Sequence, residues 1–254
     1  MSEPAPACDL LLFITTDTEE ASLREVSTVL GLSCTDRRDP ELGTYLDLGI
    51  VGRERVLAVR TRMGTVDHRG AASQTVLFQA RTRARGLIAT GMAFGISREH
   101  QELGQVLVSE SLFPYDMREV VDSPRGPVPT YTKTRRRRSS QVLLAMLKAE
   151  FMRERPPFRV EFGLLLSGGA RISSASFRDA LAAGIPDGPH PVIGGDMEGV
   201  GLLAVAPADE PRWLVVKGVS DFAEGGSSET RPEVRALASR NAVRLVLASI
   251  LHHT

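Results

Sequence analysis

The chain has 254 residues, with 31 basic and 31 acidic side chains, 42% hydrophobic residues, 23 Gly and 15 Pro. That composition excludes a collagen-like, coiled-coil or mostly disordered protein, and the length suffices to bury a substantial core. A formal net charge of zero argues against a dedicated nucleic-acid coat, although a local basic patch is compatible with it.

The first residues carry neither a basic n-region nor a long apolar h-region. No stretch approaches the roughly twenty apolar residues of a bilayer span, so a cytosolic location and no membrane partner are expected. Cys8 and Cys34 form no C-x-x-C pattern and are too few for a disulfide scaffold. Leu10 to Ile14 is an apolar run predicted as a strand, closed by Thr15, Thr16 and Asp17; Glu19 to Leu30 then reads as helix. Arg55 to Arg62 reads as a strand and Gly70 to Arg85 as a helix with a basic tail. Gly86 to Thr90 is a buried-strand candidate running into Gly91-Met92-Ala93-Phe94-Gly95. Gln105 to Glu110 and Phe162 to Leu166 are further strands, the second ending at Ser167-Gly168-Gly169. Asp196-Met197-Glu198-Gly199 follows Val192 to Gly195 and opens an apolar helix from Val200 to Val205. Trp213 to Val219 is a strand ending at Ser220-Asp221, and Arg231 to Leu251 is a helix with apolar residues at every third or fourth place. Residues 121–140, with three prolines and the run Lys133-Thr134-Arg135-Arg136-Arg137-Arg138, read as a surface loop or partly disordered insertion. Continuous apolar strands between helices predict a single α/β domain over residues 1–254, its largely parallel sheet covered on both faces.

Four strands end in small or polar residues, at Thr15-Thr16-Asp17, Thr90-Gly91, Ser167-Gly168-Gly169 and Ser220-Asp221. The carboxyl ends of parallel strands border the ligand crevice of an open α/β sheet, and glycine there lets a ligand approach the backbone. Glu198 in such a crevice is able to accept two hydroxyl hydrogen bonds from a sugar diol; acidic residues in a first helical turn are also what the helix dipole favours. Asp221 taken alone suits a helix cap or turn; if Phe222 and neighbouring apolar groups wall the strand end, it suits a general acid. Glu19 and Glu20 carry the same ambiguity between helix-start charge and catalytic base. The histidines show no metal-like spacing, and neither a metal nor another cofactor is expected.

Asp196-Met197-Glu198-Gly199, followed about twenty residues later by Lys217-Gly218-Val219-Ser220-Asp221-Phe222, resembles the nucleoside phosphorylase/nucleosidase superfamily, and within it the methylthioadenosine/S-adenosylhomocysteine nucleosidase branch. Leu11 to Glu20 is similar to that branch's first strand and acidic turn, and Ile88 to Gly95 with Leu103 to Glu110 to its central strands. The resemblance implies a nucleoside phosphorylase-like fold, a mixed sheet flanked by helices. It also implies a homodimer or larger assembly and cleavage of a purine base from a nucleoside or nucleotide. In the implied roles Asp221 protonates the base, Glu20 activates water, and Glu198 with Met197 holds the ribose. Thr90, Gly91, Ala170, Arg171 and Ser220 would border the base. Glu20 and Ala89 stand where phosphorylases hold phosphate with arginine, which favours hydrolysis over phosphorolysis. Met92, Phe94 and Arg171 depart from the branch, the first two being large enough to reshape or fill the base pocket. Asp17 and Arg231 replace the apolar contacts expected around a 5′-alkylthio group. That loss raises a 5′-phosphate as an alternative substituent, with Arg62, Arg231, Arg135 and Arg136 as its candidate ligands. The rival readings are a phosphate-dependent phosphorylase, a non-catalytic nucleotide sensor, and a nucleic-acid binder; the last is disfavoured because the basic run lacks interleaved aromatics.

Overall fold

The computed structural model describes residues 3–124, 126–205, 212–225 and 231–253, and in it the first apolar run is a fully buried strand, β1 (Leu10–Ile14). Its side chains alternate between two cores. Leu10, Leu12 and Ile14 face one cluster, whereas Leu11 and Phe13 face the other. A sheet apolar on both faces needs cover on both, and helices supply it. On the first face lie α1 (Asp17–Val29), α3 (Gln141–Arg153) and α5 (Pro232–Leu251), contributing Leu23, Leu147 and Val246. On the second lie α2 (Ala71–Thr82), through Phe78, and a 3-10 turn over Gly199–Ala204, through Leu202.

The remaining strands of the main sheet are β2 (Thr35–Asp39), β3 (Gly43–Val51), β4 (Glu54–Arg60), β5 (Gly86–Gly95) and β6 (Val106–Pro114), continued by the short β9 (Arg137–Arg138), then β10 (Val160–Ser167), β11 (Val192–Asp196) and β12 (Trp213–Asp221). They run in the order β11-β10-β6-β12-β5-β1-β4-β3-β2. Pairing is parallel for β4–β1–β5–β12 and for β6–β10–β11, with an antiparallel seam between β12 and β6. The far end of β5 also pairs antiparallel with β11, Phe94 opposite Gly195 and Gly95 opposite Gly194, so five strands close on themselves. Gly194 and Gly195 permit this: a Cβ on either would overlap Phe94.

The expected strands and helices form, with shifted ends. The first helix starts at Asp17 rather than Glu19, the central strand continues to Gly95, and the apolar segment after Gly199 is a 3-10 turn rather than an α-helix. β2, β3, α3 and α4 (Ala175–Gly184) fall where no element was expected; β2 is TDRRD, exposed but for Asp39, with no apolar alternation to reveal it. Residues 121–140, apart from Arg125 outside the described residues, are not merely loop. β8 (Val128–Thr130) pairs with β7 (Glu119–Val121), Tyr131 is buried edge-on against Phe113, and β9 adds to β6. Aromatic burial and strand pairing fix the segment in spite of its prolines.

Sheet and helix approach closely at Gly218 of β12, where a Cβ would run into the backbone of Ala238 in α5. Gly218→Ala is therefore expected to destabilise the fold by about 1–3 kcal/mol through overpacking. Urea denaturation should read this as a lowered midpoint with an unchanged slope; an unchanged midpoint would contradict the packing.

Candidate active site

The carboxyl ends of β1, β5, β11 and β12 meet around a cavity of about 620 Å³. That size lies within the roughly 300–1,000 Å³ of small-molecule sites. Glu19, Glu198 and Asp221 all line it, with Thr16, Met197 and Phe94 between them.

Glu19 reaches the cavity because of how α1 begins. Thr16 is the N-cap and Glu19 the third helical residue, and the two form a reciprocal capping box. The Glu19 Oε2 accepts from the amides of Thr15 (2.6 Å) and Thr16 (2.9 Å), and Oε1 accepts from the Met92 amide at 2.9 Å. A carboxylate offers about four acceptor positions, so one remains for a ligand. Gly91, at φ +136, leaves the space the carboxylate occupies; a Cβ there would overlap it. Glu20, one residue round the helix, lines neither this cavity nor its neighbour and pairs with Arg24 (2.8 Å) and Arg60 (3.3 Å).

Glu198 is buried, and its Oε2 lies 3.2 Å from the ammonium of Lys217, a residue 1% exposed in the middle of β12. Asp196 completes the cluster at 3.6 Å from the same ammonium. Its carboxylate also accepts from the Ser167 hydroxyl (2.6 Å) and the Gly199 amide (2.9 Å), which fixes the turn that carries Glu198. Burial pushes Glu198 above the ordinary glutamate range, to about 6; Lys217 opposes this and the charges of Asp196 and Glu19 add to it. Burial works against the Lys217 charge, but Glu198, Glu19 and Asp196 outweigh it and hold the ammonium protonated.

Asp221 ends β12 in a tight turn. Its Oδ1 accepts from the Ala223 amide (2.9 Å), and Ala223 sits in the left-handed region at φ 56. The Ser220 hydroxyl lies 2.8 Å from Asp221 Oδ2 and 3.2 Å from the Ala93 carbonyl. Phe222 is turned away from the cavity, under the Arg98 guanidinium at 4.8 Å.

Comparison with known proteins decides the family. The phosphorylase superfamily model matches residues 32–251. The chain belongs to that superfamily. Among its relatives, a death domain-containing ATP nucleosidase of Amphimedon queenslandica is 26% identical over 66% of this chain, which spans 33% of that protein's length. A 5′-methylthioadenosine/S-adenosylhomocysteine nucleosidase of Actinobacillus succinogenes is 25% identical over 91% of this chain and 95% of its own. The solved nucleosidase of Neisseria meningitidis, in complex with methylthio-immucillin-A, superimposes with a TM-score of 0.74 at 19% identity, covering 96% and 98% of the two chains. The phosphorylase-superfamily fold is thus the one the sequence resemblance implied.

Within this phosphorylase-superfamily fold, the expected residues separate. Asp221, Glu198, Met197, Ser220 and Arg171 line the cavity; Glu20, Thr90, Gly91 and Ala170 do not. Thr90 is buried within β5, Gly91 backs Glu19, and the Ala170 carbonyl is taken by the Tyr115 hydroxyl at 2.6 Å. Met92 and Phe94 form part of the wall and leave the hollow open. Of the phosphate candidates, Arg62 lines a second hollow, but Arg231, Arg135 and Arg136 line neither. The Arg136 guanidinium donates to the carbonyls of His190 (2.8 Å) and Pro186 (2.6 Å). The sequence leaves Glu19 open beside Glu20, and the Thr16-x-x-Glu19 capping-box pattern is the signal that separates them; Lys217 has no role in the sequence reading, yet it is the lone charge in the apolar run Trp213 to Val219.

Two outcomes are expected here. If the ionised Glu198 is the form that binds a ligand's hydroxyl groups, kcat/KM should fall below about pH 6, by about tenfold per unit. A pH–rate profile flat from neutrality to pH 5 would contradict this. Lys217→Met leaves buried carboxylates without their cation and should cost about 3–5 kcal/mol in urea denaturation, with Lys217→Arg recovering much of it. Equal stability of the Met variant and the parent would refute the ion cluster as described.

Proposed function

We propose that this protein is an N-glycosidase that uses water to release a purine base from a nucleoside or nucleotide. The observation that carries the reading is that Glu19, Glu198 and Asp221, distant in sequence, open on one cavity. Asp221 donates a proton to the purine, which leaves as the C1′–N bond breaks. Glu198 accepts from the ribose hydroxyls, beside Met197. Glu19, with its remaining acceptor position, orients water against C1′ and takes its proton as the new C–O bond forms. The sugar gains positive character between these steps, and the acidic cluster with its one ammonium stabilises that charge. Lys217 acts through Glu198 as a positioning residue. A carboxylate at the nucleophile position repels inorganic phosphate, which favours hydrolysis over phosphorolysis. The nucleosidase relatives support the same chemistry.

The reading includes a cytoplasmic homodimer or larger assembly. Exposed Val66, on the loop after β4, and Val76 and Leu77 of α2 support the assembly. No helix among the described residues is long and apolar enough to cross a membrane.

The test is release of free base from adenosine, methylthioadenosine and AMP, with and without inorganic phosphate. Glu19→Gln and Asp221→Asn should each slow release by about 10²–10⁴-fold, while Glu20→Gln stays close to the parent. Phosphate should not be required. Were Glu20→Gln the more damaging of the two glutamate changes, or base released only with phosphate, this assignment would fail.

A further inference from the structure

Beside the cavity lies a second hollow of about 650 Å³, sharing Thr15, Thr16, Met63 and Arg235 with the first. None of the base-end residues Ser220, Asp221 and Phe94 lines it. It therefore extends the site past the sugar, away from the base. Its chemistry is polar and cationic: Arg60, Arg62, Arg69 and Arg235 line it with a group of threonines, and Met63 is the one apolar side chain among the described lining residues. An alkylthio chain would gain little from burial against such a wall.

The four guanidinium groups are not equally committed. Arg60 is paired with Asp17 at 2.6 Å and Glu20 at 3.3 Å, and Asp17 also lines the hollow. Arg62 lies 3.6 Å from Asp67, a loose exposed pair of the kind that contributes little. Arg69 and Arg235 have no ion-pair partner among the described residues. Arg62 and Arg69 border the same hollow, and the Arg62 amide donates to the Arg69 carbonyl at 2.7 Å, closing the loop that bears both. Arg235 comes from the first turn of α5, on the other side. Uncommitted guanidinium groups converging from two elements match phosphate oxygens, which they bind with paired N–H donors.

We infer that this hollow holds the 5′-phosphate or polyphosphate of a nucleotide substrate, with Arg62, Arg69 and Arg235 as its ligands. The inference rests on the N-glycosidase reading and deepens it by naming the substrate class. It also replaces the basic run after residue 132 with a different set of arginines. The Thr65 hydroxyl, on the same loop, donates to the Met197 carbonyl at 3.0 Å, so the phosphate wall and the ribose turn are tied together.

The experiment compares kcat/KM for base release from adenosine, methylthioadenosine, AMP, ADP and ATP, for the parent and for Arg69→Gln and Arg235→Gln. The phosphorylated substrates should be preferred over adenosine by about tenfold or more, and each variant should lower that preference, mainly through KM, by a similar factor. Arg69 is exposed, so its replacement does not threaten the fold. Adenosine or methylthioadenosine turning over as well as the nucleotides would overturn the inference and leave the glycosidase standing. So would a nucleotide preference that neither variant changes. If base release from adenosine required inorganic phosphate, the arginines would serve a free anion, and the inference would fall. Absence of free base from all five substrates would instead remove the glycosidase reading itself.

Discussion

The Lys217 ammonium stands 3.2 Å from Glu198 and 3.6 Å from Asp196, in a strand from which water is excluded. A buried carboxylate without a partner is unfavourable by several kcal/mol, and here one cation offsets acidic groups from three separate elements. Because carboxylates outnumber the cation, negative charge is left over, and it faces the cavity. Water would dissipate such a surplus; the enclosing sheet does not. The cluster therefore serves stability and electrostatics together. Its position on β12, four residues before Asp221, also sets the separation between Glu198 and Asp221 across the cavity.

The architecture was legible in the sequence wherever burial was two-sided. Apolar runs such as Leu10–Ile14 and Trp213–Val219 announce strands without ambiguity, and their polar ends announce a crevice. Exposed edge elements were not legible: β2 carries charges at four of its five positions and forms because β3 offers it a partner. The proline-bearing segment misled in the opposite direction, since composition does not reveal that Tyr131 has an aromatic neighbour to pack against.

At the site, the turn bearing Glu198 and the pair Ser220-Asp221 could be read from motif and spacing. The choice between Glu19 and Glu20 turned on where the helix begins. The resemblance implies Glu20, whereas the capping box anchored at Thr16 turns Glu19 inward. The arginines illustrate a different limit. A run of like charges is conspicuous in sequence, but Arg136 is spent on backbone carbonyls, while Arg69 and Arg235 are isolated in sequence and are brought together by the loop after β4 and the first turn of α5.

The seam between β5 and β11 has a further consequence. The Phe94 ring fills the room that a side chain at Gly195 would take, and Gly195 immediately precedes the turn on which Glu198 is mounted. Any change to the cavity wall at Phe94 is thus mechanically coupled to the turn that carries Glu198. A slimmer residue at 94 would leave a void beneath that turn, and any side chain at 195 would push the turn out of register. Recasting that wall without displacing Glu198 will require changing the two positions as a pair.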